Sequence, residues 1–265
     1  MQRSRTGSNR WLVLLGYVVM VGVNALANIL PINGVTTGEV SDRYFNLFAP
    51  APLTFSIWGV IYILLGIYVV ATLAQKDSGL SPARTARRER INGYFFLSCL
   101  ANAGWIFAWH YGQILLTLLL MLALLGCLLV INRHIVRMER VPGQGWTLRV
   151  PFSVYFGWIT VATIANVTAL LVAWDWSGWG IDPELWTVLV LAVGVFIGAL
   201  TTLRRRDSFY GAVILWAYGG ILLRHTSATG FDGAYPLVVL AVGACLVVML
   251  VVEGFALLRR RKEAR

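Results

Sequence analysis

Along this chain long apolar runs alternate with short polar links, and eight of the runs reach the roughly 20 residues that a helix needs to cross a bilayer. The pattern predicts helices over Trp11–Leu30, Thr54–Leu73, Asn92–Trp109, Ile114–Arg133, Val150–Ala173, Leu185–Leu203, Ser208–Leu223 and Tyr235–Leu258. Charges and turn residues fall almost entirely between the runs, and no low-complexity segment or soluble domain interrupts the series. An all-α polytopic membrane protein of about eight transmembrane helices follows. The second run, inside Ala49–Ala71, is the most structured: Pro50 and Pro52 fix the backbone ahead of it, and Trp58, Tyr62 and Gly66 recur at four-residue steps on one helix face.

Composition agrees. The chain is 58% hydrophobic and 13% charged, with a mean hydropathy of +0.72, more apolar surface than a single soluble core of 265 residues would hold. A net charge of +10 would suit nucleic acid if it formed a patch, but here the basic residues sit in the links. Arg3, Arg5, Arg10, Lys76, Arg84, Arg87, Arg88, Arg90, Arg133, Arg137, Arg140, Arg149, Arg204–Arg206, Arg259–Lys262 and Arg265 fall on one side, 20 of the 22; Arg43 and Arg224 fall on the other. By the positive-inside rule both termini are expected in the cytoplasm, in a multi-pass protein of the cell membrane.

The first apolar run is expected to be a span rather than a cleaved signal, because it continues to about Leu30 without a small-x-small cleavage site. The opposite side carries Glu39, Asp42, Asp175, Asp182, Glu184 and Asp232, with Trp174, Trp176, Trp179 and Trp186 as an interfacial belt. Gly194 and Gly198 form a GxxxG step that admits a close helix neighbour, in this chain or another.

Candidate chemistry is sparse. Cys99, Cys127 and Cys245 read as packing residues within helices. Glu253 reads as an interfacial carboxylate paired with the terminal arginines, and His110 as an outward-facing cap. No nucleotide-binding, hydrolase or metal-ligand spacing is present, so neither catalysis nor a metal is expected. What stands out is amide groups in hydrocarbon: Asn24 and Asn28, Asn102 and Asn166. Each must find hydrogen bonds on a neighbouring helix or in a wet cavity. Aromatic residues accompany them, Trp105 three after Asn102 and Trp158 eight before Asn166.

Here the chain resembles the TspO/MBR family, the tryptophan-rich sensory and translocator proteins. The matching residues are Trp58, Tyr62 and Gly66 after Pro50 and Pro52; Asn102, Trp105, Phe107 and Gly112; and Trp158 and Asn166 after Pro151. The resemblance covers residues 11–175 and implies a five-helix bundle there; the three further helices over 176–258, the basic N-terminus (1–10) and the basic tail (259–265) lie outside it. It also implies a pocket for hydrophobic ligands such as tetrapyrroles or sterols, closed by the loop Asn33–Phe48, and a homodimer.

Trp58, Tyr62, Asn102, Trp105, Trp158 and Asn166 are the expected ligand-binding residues, because paired rings and a few fixed amides are the usual make-up of a small-molecule site. The expected partners are a planar hydrophobic molecule and membrane lipid, not nucleic acid, with a possible tetrapyrrole ligand as the one cofactor-like group. A sensory, regulatory or carrier role is expected. The alternative is a secondary transporter of a small hydrophobic or amphipathic solute, since eight spans exceed the five-helix core, although no internal repeat or broken-helix pair is visible.

Overall fold

A computed structural model describes residues 6–75, 81–138 and 145–263. Arg3, Arg5, Lys76, Arg140 and Arg265 of the basic partition, and the side chains of Asn28 and Arg260–Lys262, lie outside the described residues. Eight long helices occur where the hydropathy pattern places them: α1 (Thr6–Ile29), α2 (Ile57–Ala74), α3 (Pro82–His110), α4 (Ile114–Val136), α5 (Val150–Ala173), α6 (Pro183–Arg205), α7 (Ser208–Thr226) and α8 (Pro236–Glu263). No strand is present among the described residues, and the protein is an all-α, multi-pass membrane protein.

Local chemistry sets the helix ends. Ser81 caps α3 by accepting from the Arg84 amide, with Pro82 at the first helical position. Asp182 does the same for α6, accepting from the amides of Glu184 and Leu185. The expected start of α3 at Asn92 is therefore corrected to Pro82. The Arg84–Arg90 run is helical, because nothing in it breaks a helix and a Ser-Pro cap precedes it. Gly112, at φ +67°, turns the chain out of α3 in a conformation that a side chain would oppose.

Seven of the eight helices are long and apolar enough to cross a membrane, α7 being the exception. Its 19 residues include two tyrosines, three glycines, Arg224 and His225. Tyr210, Val213, Ile214, Ala217, Tyr218 and Ile221 are all buried, so α7 is screened by its neighbours rather than by its own hydropathy.

The chain divides into two compact units, Met1–Val40 with Trp58–Phe156 and Ser41–Ile57 with Gly157–Arg265. In the first, α3 packs on α1 and on α4. Its α2 exposes Val60, Ile63, Ile67 and Val70 and buries Ile61, Leu65, Tyr68 and Val69. With apolar side chains on both faces, the exposed one suits lipid rather than water.

In the second unit α6, α7 and α8 pack on one another. The GxxxG step finds its partners there, within the same chain: Gly194 lies against Tyr218 and Ile164, and Gly198 against Ile214 and Met249. Glu253 is 8% exposed, and its carboxylate lies against Gly211 of α7. The neighbouring helix has a glycine where a side chain would fill the space, and the expected pairing with the terminal arginines falls partly on side chains outside the described residues. Trp176, Trp179 and Trp186 pack edge to face, with centroids 4.8–6.0 Å apart, while Trp174 and Trp179 stay exposed.

Candidate functional site

In the first unit, α1, α3 and α5 meet through a chain of amides and a phenol. The Asn24 side-chain amide donates to the Asn102 Oδ1 at 2.6 Å and to the Met20 carbonyl at 2.9 Å. Asn102 donates in turn to the Tyr155 hydroxyl at 3.3 Å. Asn102 is 1% exposed and Tyr155 is fully buried. Such groups remain in an apolar interior only when hydrogen-bonded, since an unpaired amide there costs several kcal/mol by the ~4–8 kcal/mol transfer scale.

Aromatic rings stand beside this chain. Trp58 and Tyr62, one turn apart on α2, stack at 5.6 Å with 22° between their planes. Trp58 also meets Tyr155 edge-on at 6.1 Å. Gly66, the third residue on that face, lies against Tyr17 of α1, whose hydroxyl donates to the Tyr62 carbonyl at 2.9 Å. The Tyr62 hydroxyl itself is buried with no hydrogen-bond partner. Three rings, one of them edge-on, and two amides thus share one place with an unsatisfied hydroxyl on one of the rings.

Trp105 is buried and stacks on Trp109 at 5.4 Å. Trp109 donates through its indole nitrogen to the Thr37 carbonyl at 3.1 Å. His110 is 1% exposed. Its ring nitrogens face the Ile32 carbonyl and the Thr37 hydroxyl, each at 3.1 Å, and its carbonyl accepts from Asn33 at 3.0 Å. The outward-facing cap expected of His110 is corrected: the end of α3 is covered by the loop, and the imidazole bonds to it on both sides.

That loop is built rather than slack. Thr36 and Glu39 form a capping box, with the Thr36 amide donating to the Glu39 carboxylate at 2.6 Å, and start the short helix Thr37–Arg43. Val40, Leu47 and Phe48 are buried.

Of the six expected site residues, Trp58, Tyr62, Asn102 and Trp105 fall in the first unit, and Trp158 and Asn166 in the second. There Trp158 is buried against Phe55, ring centroids 6.0 Å apart. Asn166 donates to the Ala162 carbonyl of its own helix at 3.0 Å. Sequence reasoning passed over Tyr17 and Tyr155. The available signal was a hydroxyl inside an apolar run, which needs a partner as much as an asparagine does.

A family model described as TSPO-like protein matches residues 10–255, so the match runs through α6 and α7 and nearly to the end of α8, well past the motif residues, which end at Asn166. No curated protein and no solved structure matches the chain.

Proposed function

Because the chain belongs to the TSPO-like family, we propose that it binds a planar, hydrophobic small molecule, of the tetrapyrrole or sterol class, at the aromatic and amide cluster of its first unit. Its role on this reading is sensory, regulatory or carrier, and not enzymatic. Trp58 and Tyr62 offer stacking faces, Asn102 supplies polar fixing, and Trp105 braces the neighbouring wall of α3. Trp158 and Asn166 belong to the reading through the family resemblance alone.

The observation that carries it is the Tyr62 hydroxyl, buried beside the Trp58 ring and bonded to nothing. Leaving such a group unsatisfied costs about 1–3 kcal/mol, which a ligand acceptor placed there would recover. The absence of a paired nucleophile and base among these side chains supports a binding role over a catalytic one.

We place both termini in the cytoplasm, from the partition of basic residues. That orientation needs α7 to cross along with the seven more apolar helices, since seven crossings would separate the termini. The test of function is a spectroscopic titration of the purified protein in lipid with protoporphyrin IX, cholesterol and a quinone side by side. Saturable binding of a planar ligand is expected. Linear, non-saturating partition of all three, as into protein-free lipid, would contradict the reading.

A further inference from the structure

Within the first unit, α3 and α4 form an antiparallel hairpin about Gly112 and pack along their length. Their far ends carry a group of cations that the ligand cluster does not use. Arg90 and His134 each stand 22 residues from Gly112, and Arg87 and Arg137 each stand 25 residues from it. Equal steps along paired helices bring the four to one end of the hairpin. At about 1.5 Å per residue that end lies about 33–38 Å from the turn, just past the roughly 30 Å hydrocarbon core of a bilayer. The group therefore stands at headgroup depth.

The charges converge there without a counter-ion. Arg90 and Arg87 from α3 and Arg137 from the end of α4 all act on the His134 ring, and no carboxylate of the described residues is among the groups that do. Among the described residues Arg87, Arg90 and Arg137 form no ion pair, and the His134 Nδ1, shielded from solvent, has no hydrogen-bond partner. Glu89, the acid within that stretch of α3, is about 100° round the helix from Arg90. Like charges brought together disfavour one another, and an anion bound among them removes that cost.

An apolar stripe leads away from the charges. Arg90, Tyr94 and Leu97 recur at helical steps on one face of α3, and all three are exposed. A free anion has no use for Tyr94 and Leu97, whereas a lipid meets both features at once, its phosphate at the arginines and a chain along the rings and methyls below.

We propose that Arg87, Arg90, His134 and Arg137 form a binding site for the phosphate of an anionic lipid headgroup, with an acyl chain along Tyr94 and Leu97. Basic pockets between membrane helices suit such headgroups, and the arginine fork can donate two parallel hydrogen bonds to one phosphate. The site stands apart from the aromatic and amide cluster, since Arg90 and Asn102 are twelve residues, about 18 Å, apart along α3. It does not depend on the ligand reading.

The test uses the full chain purified in detergent, with bound lipid counted by native mass spectrometry during titration with phosphatidylglycerol or phosphatidylcholine, each with and without inorganic phosphate. Wild type is compared with Arg90→Gln/Arg137→Gln and with Arg204→Gln/Arg259→Gln, which removes the same charge from exposed positions of the second unit. Phosphatidylglycerol should bind wild type saturably and in preference to phosphatidylcholine. A basic residue near an anionic headgroup contributes about fivefold in affinity, so the first double variant should bind about 25-fold more weakly while the second stays within about twofold of wild type.

Equal loss in the two double variants, or equal binding of the two lipids by wild type, would overturn the proposal. Displacement of phosphatidylglycerol by an equimolar amount of inorganic phosphate would overturn the lipid assignment in favour of a free anion. Should Arg90→Gln/Arg137→Gln fail to fold, Arg90→Gln alone, at an exposed side chain, decides against Arg204→Gln by the same comparison.

Discussion

Replacing Asn102 by leucine removes the amide that joins α1, α3 and α5 while keeping the branching of the side chain. Two bonds go, the 2.6 Å bond from Asn24 and the 3.3 Å bond to Tyr155. Hydrogen bonds between membrane helices contribute about 0.6 kcal/mol on average and up to about 1.7. The shorter bond belongs in the upper half of that range, so Asn102→Leu should cost about 1–2 kcal/mol. Asn24→Leu should cost about 1 kcal/mol, since Asn24 also gives up its bond to the Met20 carbonyl. Because the two asparagines share one bond, the double variant should fall short of the sum by about 0.6 kcal/mol or more. The assay is reversible unfolding in bicelles for the wild type, both single variants and the double. If the effects add within about 0.3 kcal/mol, the measured limit for independent sites, the shared bond contributes nothing and the reasoning from its length is wrong.

Other outcomes follow from the same geometry. Gly198→Ile should destabilise the protein by about 1–3 kcal/mol through overpacking against Ile214 and Met249 and leave its oligomeric state unchanged by light scattering in detergent; a change of oligomer at constant stability would mean that the GxxxG face serves a second copy. His110→Ala should free the loop from the end of α3, seen as faster cleavage within residues 32–40 by a broad protease, whereas equal rates would show that the imidazole bonds do not hold it. Cysteine-accessibility labelling should place Arg87 and Arg205 inside and Asp42 and Asp182 outside, and a C-terminal reporter active on the outer face would refute the assigned orientation.

How much could be read in advance differs from feature to feature. The path of α2 was legible because Pro50 and Pro52 bound an apolar run, and the steric rule that stops a helix at proline acts through neighbours in sequence. The role of His110 was not legible, because its partners Ile32 and Thr37 are more than 70 residues away. Nothing near position 110 announces them. Asn102 was found as an amide that needed partners, but which partners depended on Asn24 and Tyr155 arriving from other helices. The α7 stripe lay in plain view as Trp216, Gly220 and Arg224 at helical steps. It went unread because Arg224 also reads as a topology signal, and the stripe gains its partners only once residues 42–54 are laid beside it.

The central claim is that a planar hydrophobic ligand sits against Trp58 and the Tyr62 hydroxyl. It is tested most directly by titrating wild type, Trp58→Phe and Tyr62→Phe with protoporphyrin IX in the same nanodiscs, with thermal stability measured in parallel. Tyr62→Phe deletes an oxygen that has no partner in the free protein, so it should leave stability equal or slightly raised while weakening binding about fivefold or more, the effect of one lost hydrogen bond. Trp58→Phe should likewise weaken binding by more than it lowers stability. Wild-type affinity in both variants, or affinity that falls only in proportion to stability, would contradict the account and make these rings packing residues alone.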